Sequence, residues 1–425
     1  MRYTLPFDSN APLIMGYLLD NSLATLKLEH GIKTSAKVGD TFFSVNYAQI
    51  ESKPGDLVNQ CRGMILAVAS PLTAGQVSGQ DPVGPTVIYA RPFDRFFNLG
   101  DSNAVSVNLE DSNTVFFEKL DGTCCIVWWN PEMERWCVAT RAVPLADKPM
   151  TGFEDLTFSG LFKKALRETL VRFNNEWEEL AEKFNEDKLF QLWAGNNLLA
   201  TQTYVFELTT PLNRIVVSYP EYTVWLLGIR NTQTGDELDI RDFGATAWGV
   251  PTCPSYKLNN LSELLAFVGS KAPFEQEGVV VRDSQFRRVK VKSLAYTAYN
   301  RVRDSAASSP RALMELILTE KLDDVLPVLE PYVQEQAVKL QDGVRVLFQK
   351  TETIYQEILA EIQGQENQRK AFALGVQKRK AWMAPLMDRF IGRCSNLEDW
   401  IHKRKNPDGS YPDGVLEALI TASGC

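Results

Sequence analysis

A lysine, an aspartate and a glycine stand close together in the segment Lys119-Leu120-Asp121-Gly122-Thr123. The lysine amine could attack phosphorus once it has lost its proton, and cationic neighbours or desolvation would make that loss easier. Val289-Lys290-Val291-Lys292 supplies two such cations on one side of any strand, because side chains two residues apart share a face. The two segments together indicate covalent nucleotidyl transfer through a lysine.

Each segment also has a simpler interpretation. Asp-Gly after an apolar run is a strong hairpin signal, and alternating lysines are typical of the solvated face of an edge strand. Four further short signals favour chemistry because they follow in the order expected for one active site. They are Arg62-Gly63, the block from Arg91 to Asn98, Phe206-Glu207-Leu208 and Glu277-Gly278-Val279-Val280.

With these blocks in this order, the chain resembles the covalent nucleotidyltransferases, the superfamily of polynucleotide ligases and capping enzymes. It looks most like the phage-type RNA ligase 1 family, over roughly residues 40 to 300. Three blocks carry that resemblance: Arg-Pro followed by Arg-Phe-Phe-Asn, Phe-Glu-Leu followed by Pro-Leu-Asn-Arg-Ile-Val-Val, and Val-Lys-Val-Lys-Ser. Cys124 and Cys125 stand where DNA ligases and capping enzymes carry an arginine, which argues against both classes.

The resemblance implies an α+β fold. Residues 1–300 would form an antiparallel-sheet nucleotidyltransferase domain of the ATP-grasp-like ligase type, followed by an all-α C-terminal domain, residues 301–425, that helps to select RNA ends. The implied activity joins an RNA 5′-phosphate to a 3′-hydroxyl through a lysyl-AMP intermediate and an adenylated RNA 5′ end, in RNA or tRNA repair. ATP and Mg²⁺ or Mn²⁺ would be the cofactors, and single-stranded or nicked RNA, including tRNA, the partner.

The resemblance also assigns roles to individual residues. Lys119 would be the nucleophile, with Lys290 and Lys292 beside it as catalytic cations. The predicted nucleotide-binding residues are Arg62, Arg95, Asp121, Gly122, Glu207, Lys290 and Lys292. Glu277 and Glu207 would hold the metal, since carboxylate oxygen suits a hard cation. Arg95 stands where the family has lysine, and Tyr219, Tyr222 and Trp225 are candidates for an adenine platform.

The elements that must position these residues follow from hydrophobic periodicity. Strands are predicted at Asp40–Tyr47, Cys61–Val68, Val115–Lys119, Ile215–Ser218, Val224–Arg230 and Val279–Arg282, with a hairpin of Cys125–Trp129 and Trp136–Thr140. A surface loop is predicted at 70–86, and helical patterns at Leu18–Leu28, at 155–192 and from about residue 300 to the end. The core candidates of that last stretch are Leu313, Leu316, Leu326, Leu329, Val333, Val344, Leu347, Ile354, Ile358 and Ile362. Ala306–Pro310 is a candidate linker.

Composition limits the alternatives. The chain has 425 residues, 44% hydrophobic and 23% charged, which is enough for two domains with their own cores. Neither a leader pattern nor a long apolar run is visible, so we expect a cytoplasmic protein without a membrane segment. The net charge of −8 argues against a protein that coats nucleic acid, although a local basic cleft remains compatible with it. Seven cysteines without metal-ligand spacing indicate reduced thiols.

Two other functions fit part of this pattern. A GTP-dependent mRNA capping guanylyltransferase would use the same covalent step, and a non-catalytic nucleic-acid-binding relative would keep the fold alone. In the tail, Lys378-Arg379-Lys380 and Lys403-Arg404-Lys405 are candidate phosphate contacts, although acidic neighbours favour a solvated helix face. No obligate protein partner is indicated.

Overall fold

The computed structural model describes residues 11–48, 52, 54–150, 153–272, 274–293, 296–297, 309–318, 322, 331–379, 382–406 and 411–423. The chain divides into two compact units, Met1–Ser293 and Leu294–Cys425. The predicted boundary between residues 300 and 301, most of the predicted linker, and Leu326 and Leu329 lie outside the described residues.

The first sheet of unit one, sheet I, is antiparallel in the order β1-β2-β3-β4. Its strands are β1 Ile32–Thr34, β2 Phe42–Tyr47, β3 Arg62–Val68 and β4 Thr86–Ala90, and its helices are α1 Leu13–Asp20, α2 Leu23–His30, α3 Asp56–Gln60 and α4 Ala74–Ser78. The strand predicted at Cys61–Val68 is confirmed as β3. The predicted loop at 70–86 is wrong at α4, because Thr73 and Gln76 form a reciprocal capping box that starts a helix there.

A second antiparallel sheet, sheet II, has the strand order β13-β12-β11-β7-β8. Its strands are β7 Thr123–Asn130, β8 Arg135–Thr140, β11 Gln202–Thr209, β12 Thr223–Asn231 and β13 Glu237–Leu238. The predicted hairpin is confirmed, since β7 pairs with β8 from Cys125 opposite Thr140 to Asn130 opposite Arg135.

The helical segment before β11 packs on sheet II. It contains α5 Phe158–Phe173, α6 Glu178–Lys183 and α7 Glu186–Asn197, so the helical prediction is correct except at 155–157, which end the short strand β10 Phe153–Thr157 paired with β9 Pro149–Met150. Fully buried side chains of α5 and α7, such as Phe162, Leu166 and Trp193, share one hydrophobic cluster with Phe206 of β11. The segment is therefore part of the core that supports sheet II.

The third sheet, sheet III, has the order β16-β6-β17-β18-β5. Its strands are β5 Phe97–Asn98, β6 Val115–Lys119, β16 Ser255–Tyr256, β17 Gly278–Arg282 and β18 Arg288–Lys292; all pairs are antiparallel except β5 with β18. Phe116, Val279 and Val289 leave one face and pack against Leu264 of α8 Leu261–Gly269. The alternate residues of these strands, including Lys119, leave the opposite face, as the period of two requires.

The remaining elements of unit one are short. A second small pair consists of β14 Thr246–Ala247 and β15 Val250–Pro251, and 3-10 turns lie at Asn175–Trp177, Pro211–Asn213 and Ile240–Phe243. Val115 and Phe117 of sheet III share a buried cluster with Cys125, Val127 and Phe206 of sheet II. The two sheets thus pack together, and a cleft opens at the end where Lys119 lies.

Unit two is helical wherever it is described as regular structure. Its helices are α9 Pro310–Leu318, α10 Pro331–Ile362, α11 Gln368–Lys378, α12 Met383–Phe390, α13 Leu397–His402 and α14 Asp413–Ala422. The core predictions are confirmed for the residues that are buried, namely Leu313, Leu316, Val333, Val344, Ile358 and Ile362. Leu347 and Ile354 are only partly buried and pack against the same clusters. The molecule is therefore α+β with antiparallel sheets, followed by a helical C-terminal region.

Two further observations concern the chain as a whole. Within the described ranges, no helix combines the length and apolar character needed to cross a membrane. The six described cysteines are all free thiols, as the sequence predicts for them.

Candidate active site

Lys119 and Lys292 are held in one row across sheet III. Gly278 of β17 pairs with Lys119 of β6 on one side and with Lys292 of β18 on the other. The buried carboxylate of Glu277, the preceding residue, accepts a hydrogen bond from Lys119 Nζ on one oxygen and from Lys292 Nζ, at 2.8 Å, on the other. One carboxylate thus binds two ammonium groups whose lysines lie far apart in the sequence.

The row requires glycine at its centre. A Cβ on Gly278 would lie 2.0 Å from the Val291 carbonyl oxygen, and the residue has φ +156°. Any side chain would push β18 away from β17 and separate Lys292 from Glu277. The Glu-Gly dipeptide of the sequence is therefore a packing requirement as well as a source of a carboxylate.

Lys290 adds a third cation to this region. It lies two residues before Lys292, so it leaves β18 on the same face. Burial, together with the nearby positive charges of Lys119, Lys292 and Arg62, lowers the pKa of Lys290 to about 8. The prediction that these cations help Lys119 to lose its proton stays a prediction.

The turn after Lys119 is bound to sheet II through Glu207. Gly122 N donates to Glu207 Oε1 at 3.0 Å, and a Cβ on Gly122 would lie 2.3 Å from the Leu208 carbonyl oxygen. Burial and the negative charge of Glu277 raise the pKa of Glu207 to about 7, against the opposing effect of Lys119. Glu207 therefore faces Lys119 from the other sheet.

Asp121 anchors a neighbouring segment of backbone. Its Oδ2 accepts hydrogen bonds from Val216 N and Val217 N, both at 2.8 Å, and its own N donates to the Tyr219 hydroxyl at 3.1 Å. The predicted strand at Ile215–Ser218 is wrong, because these backbone donors bind a carboxylate instead of a neighbouring strand. The nucleotide contact assigned to Asp121 stays a prediction.

Asn213 fixes the same segment from the other side. Its Nδ2 donates to Thr123 Oγ1 at 2.9 Å and to the Leu208 carbonyl at 2.8 Å. The Pro-Leu-Asn-Arg-Ile-Val-Val block thus ties β11 to the turn that follows Lys119. Its role in the structure is to position that turn.

A pocket opens beside Lys119 between the sheets and encloses about 620 Å³ of empty space, part of it continuous with solvent. Its lining residues are Arg62, Phe93, Phe96, Phe117, Glu118, Lys119, Leu120, Cys124, Glu207, Leu227, Cys253, Val280 and Arg288.

The two predicted arginines lie in different places. Arg62 lines the pocket, with its guanidinium 5.4 Å from the centre of the Phe96 ring. Arg95 lies between Tyr47 and Phe97, 4.3 and 4.8 Å from the ring centres, and lines a larger neighbouring cavity, which we call the groove. The pocket and the groove share Phe93, Phe96 and Arg288 as walls.

The aromatic residues of the pocket differ from those favoured by the sequence. The Tyr219 hydroxyl accepts a hydrogen bond from Asp121 N, and Trp225 Nε1 donates to Thr209 Oγ1. Neither residue lines the pocket. Phe93, Phe96 and Phe117 line it instead. A signal for Phe117 was present, because it lies two residues before Lys119 and must share its face.

The residues present fit a nucleotide and a hard divalent cation. Arg62 Nη1 is buried and has no hydrogen-bond partner among the described residues, which suits an anionic ligand. The described residues contain no group of three His, Cys, Asp or Glu side chains placed to hold a metal. Mg²⁺ does not need one, because it commonly binds one or two carboxylates together with water and substrate phosphates.

Comparison with known proteins finds similarity to two proteins described as RNA ligases. A protein of Autographa californica nuclear polyhedrosis virus described as a bifunctional polynucleotide kinase/RNA ligase is 27% identical over 307 residues, 68% of this chain and 38% of that protein. The chain thus matches well under half of that relative's length. An RNA ligase of Rhodothermus phage RM378 is 26% identical over 366 residues, 71% of this chain and 77% of the phage protein.

A solved structure of an archaeal ATP-dependent RNA ligase aligns with 87% of this chain and 77% of its own, at 11% identity and a TM-score of 0.38. The sequence profile of the RNA ligase family, of the phage RNA ligase 1 type, matches residues 60–296. That match covers more than half of the chain and includes Arg62, Lys119, Glu207, Glu277 and Lys292. The chain therefore belongs to the RNA ligase family.

Proposed function

We propose that this protein is an ATP-dependent RNA ligase that joins a 5′-phosphate to a 3′-hydroxyl through a lysyl-AMP intermediate and an adenylated RNA 5′ end. The observation that supports this most directly is the row of Lys119, Glu277 and Lys292 beside a pocket that Lys119 and Glu207 both line. Residues 1–300, which contain sheets II and III and the cleft between them, would form the ATP-grasp-like ligase domain of the proposed enzyme.

In the first step Lys119 Nζ attacks the α-phosphorus of ATP and pyrophosphate leaves. The ammonium must first lose a proton, and the Glu277 carboxylate already accepts a hydrogen bond from it. The negative charge that grows on the phosphate oxygens is opposed by Lys290, Lys292 and Arg62, which are fixed by the sheets before the nucleotide binds. Such pre-set cations stabilise the transition state without reorganisation.

Glu207 and Glu277 are the residues that would hold Mg²⁺ or Mn²⁺. A bound divalent cation supplies charge neutralisation at the phosphates. Glu277 already binds two lysines, whereas Glu207 accepts a hydrogen bond from the backbone N–H of Gly122. The raised pKa of Glu207 indicates a carboxylate that lacks full compensation and would gain from a cation.

RNA is the proposed substrate because of the family, and nicked tRNA is one candidate. The helical unit is proposed to help select RNA ends, and the cytoplasm is the proposed location. In the two basic clusters of the helical unit, several described side chains already pair with acidic neighbours, which does not favour phosphate binding. Arg379 pairs with Glu361, Lys403 bonds to Asp399 at 3.0 Å, and Arg404 bonds to Asp388 at 3.0 Å, whereas Lys380 lies outside the described residues.

Labelling with nucleotides tests the proposal. The protein is incubated with α-labelled ATP and, separately, α-labelled GTP in the presence of Mg²⁺ or Mn²⁺, and the adduct is mapped by mass spectrometry of peptides. We expect a covalent AMP on Lys119, its loss in Lys119→Ala, and normal labelling of Lys148→Ala, which changes an exposed lysine of the same unit.

The other outcomes identify the alternatives. Labelling by GTP alone would point to a capping guanylyltransferase, and RNA binding without any adduct would point to a non-catalytic relative. Unimpaired joining of RNA ends by Lys119→Ala would exclude the proposed lysine chemistry. Joining is measured with 5′-phosphorylated and 5′-hydroxyl RNA, and only the phosphorylated strand should be sealed.

A further inference from the structure

Glu118, the residue immediately before Lys119, is held by one short segment through both its backbone and its side chain. Its N donates to the Pro254 carbonyl at 2.8 Å, and its carbonyl accepts a hydrogen bond from Cys253 Sγ at 3.3 Å. Its carboxylate accepts a hydrogen bond from the Tyr256 hydroxyl at 2.7 Å. The edge strand β16 and the two residues before it therefore fix the position next to Lys119.

Gln276, the residue immediately before Glu277, extends this set of contacts to the neighbouring strand. It is buried, and its Nε2 donates to the Gly278 carbonyl at 2.9 Å. Its side chain also hydrogen-bonds to the Tyr256 hydroxyl. A continuous path thus runs from Glu118 through Tyr256 and Gln276 to the Gly278 carbonyl, and we call it the bridge.

The bridge lies behind the candidate site. The Glu118 side chain leaves β6 on the face opposite to Lys119, because neighbouring residues of a strand alternate between faces. Tyr256 packs there against Phe267 of α8, with 4.5 Å between the ring centres. Neither Tyr256 nor Gln276 lines the pocket. Both residues can therefore act on the site only through the residues that they hold.

The Tyr256 hydroxyl is suited to join two partners. Burial and the nearby Glu118 carboxylate raise the pKa of Tyr256 above its ordinary value, so the hydroxyl keeps its proton. It donates that proton to the carboxylate while its oxygen accepts from the Gln276 amide, since a phenol can do both. A hydrogen bond to an ionised acceptor is one of the stronger kinds, and it resists small movements of β6 against β17.

Such movements would matter for the chemistry because Lys119 and Glu277 come from neighbouring short segments. β6 and β17 have five residues each, and Glu277 directly precedes β17. Attack on phosphorus requires the Lys119 amine to lie in line with the leaving pyrophosphate, and a small misplacement of a reacting group lowers the rate by a large factor. The bridge ties the ends of both strands together where these two side chains meet.

We propose that Tyr256 and Gln276 are positioning residues that hold Lys119 and Glu277 in the geometry required for attack on the α-phosphorus of ATP. The inference rests on the proposed function and adds to it two residues outside the pocket. The bridge should control the rate of lysyl-AMP formation and leave ATP binding unchanged. It should also be dispensable for sealing a strand that is already adenylated. In that step the 3′-hydroxyl attacks the 5′-phosphorus and AMP leaves, so no bond to Lys119 forms or breaks.

Tyr256→Phe in the full-length chain tests the bridge, because it removes the hydroxyl and keeps the ring that packs against Phe267. Three quantities are measured: the rate of lysyl-AMP formation at saturating ATP, the ATP concentration for half-maximal rate, and the rate of joining of a synthetic 5′-adenylated RNA strand to a 3′-hydroxyl strand. We expect the first to fall by about tenfold or more and the other two to stay within about twofold of the wild type.

Tyr89→Phe is the matched control. The Tyr89 hydroxyl also donates to a glutamate, Glu132 Oε1, at 3.0 Å, and its ring stacks on Trp128 in the same unit. Neither Tyr89 nor Glu132 lines the pocket. The same loss of one hydroxyl there should leave all three quantities unaltered.

Gln276→Met tests the other end of the bridge and provides a second variant should Tyr256→Phe fail to fold. Methionine is of similar length and lacks the amide, so we expect the same slow formation of lysyl-AMP with normal use of adenylated RNA. The double variant should be no more than about twofold slower than the slower single variant, because both changes break one path. Circular dichroism verifies the folding of each variant before the assays.

Several results would overturn the inference. They are an unchanged rate of lysyl-AMP formation in both variants, an equal loss in Tyr89→Phe, and losses that multiply in the double variant. A parallel loss in the joining of adenylated RNA would show general damage to the fold, and a change confined to the ATP concentration would show a role in binding; either excludes positioning. Absence of lysyl-AMP in the wild-type chain would instead defeat the proposed function, and it is read before any variant is compared.

Discussion

At the scale of single residues, the candidate site combines two buried carboxylates, Glu207 and Glu277, with the half-buried lysines Lys119 and Lys292. Glu277 holds Lys119 and Lys292 together, while Glu207 approaches the same lysine from sheet II with one backbone donor. These two carboxylates differ in compensation, because Glu277 accepts from two ammonium groups. Ionised Glu207 should therefore stabilise the folded protein less than ionised Glu277 does.

Glu207→Gln should show this imbalance as a change in the pH dependence of stability. The pKa of Glu207 is raised from 4.5 to about 7, so between those values the unfolded chain has released a proton that the folded protein keeps. Wild-type stability therefore falls as the pH rises from 4.5 to 7, and the loss persists above 7. We expect the variant to be more stable at pH 8 by about 2–3 kcal/mol, and equal to the wild type near pH 4.

The measurement is urea unfolding at a series of pH values. Glu275→Gln, at an exposed position of the same unit, is the control and should follow the wild-type curve. A Glu207→Gln variant whose free energy of unfolding parallels the wild type from pH 4 to 8 would contradict the imbalance. Lysyl-AMP formation should fall in the same variant, since the carboxylate is proposed to hold the metal.

At the scale of elements, strand pairing turns distant sequence segments into one row. β6, β17 and β18 bring residues 119, 278 and 292 side by side, and this register depends on backbone contact at Gly278. The hydrophobic face of the same strands, with Val279 and Val289 against α8, prevents a slip by one residue, which would turn Lys119 into the core. Packing on the hydrophobic face therefore fixes the register, and the register places the charged side chains of the other face next to one another.

Gly278→Ala should break the row. The added Cβ would meet the Val291 carbonyl oxygen at 2.0 Å, so β17 and β18 must separate. We expect a loss of about 3 kcal/mol or more in the free energy of unfolding, with loss of lysyl-AMP formation. Denaturant unfolding and the labelling assay measure the two effects.

Gly195→Ala provides the comparison. A Cβ there meets nothing within 4 Å, and the residue lies in α7, where alanine favours the helix by about 0.5–1 kcal/mol. The control should be labelled normally and be slightly more stable. If Gly278→Ala behaved in the same way, the close approach of the two strands would not be needed for the site.

At the scale of the whole molecule, the candidate site is contained in unit one. Arg62, Lys119, Glu207, Glu277 and Lys292 all belong to Met1–Ser293, and that unit has its own buried clusters. The helical unit has a separate core around Leu313 and Val344. Chemistry and the proposed selection of RNA ends are thus assigned to different parts of the chain.

A fragment of residues 1–300 should therefore accept AMP from ATP and fail mainly in joining RNA. We expect its lysyl-AMP formation to stay within about threefold of the full chain, and its joining of RNA ends to fall by about tenfold or more, since 1.4 kcal/mol of lost binding energy gives tenfold. Circular dichroism verifies folding before the assays. A folded fragment that takes no AMP while the full chain does would contradict this division.

The sequence alone was sufficient for much of the local structure near the site. The hairpin of β7 and β8 and the strand β6 that ends at Lys119 follow from alternation, because a strand with one buried face has a period of two. It failed at Ile215–Ser218, where an apolar run looks like a strand but its N–H groups bind Asp121. Only a contact between residues about 95 positions apart could reveal that.

What the amino-acid order determined by itself was the inventory: a lysine before an Asp-Gly turn, a glutamate inside an apolar run, a Glu-Gly pair before a strand, two alternating lysines, and the family to which they belong. Only the tertiary structure decided that Glu277 lies between Lys119 and Lys292 and that Arg95 lines the groove rather than the pocket. The physical reason is that periodicity fixes the face from which a side chain leaves its strand, whereas the neighbours it meets depend on register and sheet packing between segments far apart in the chain.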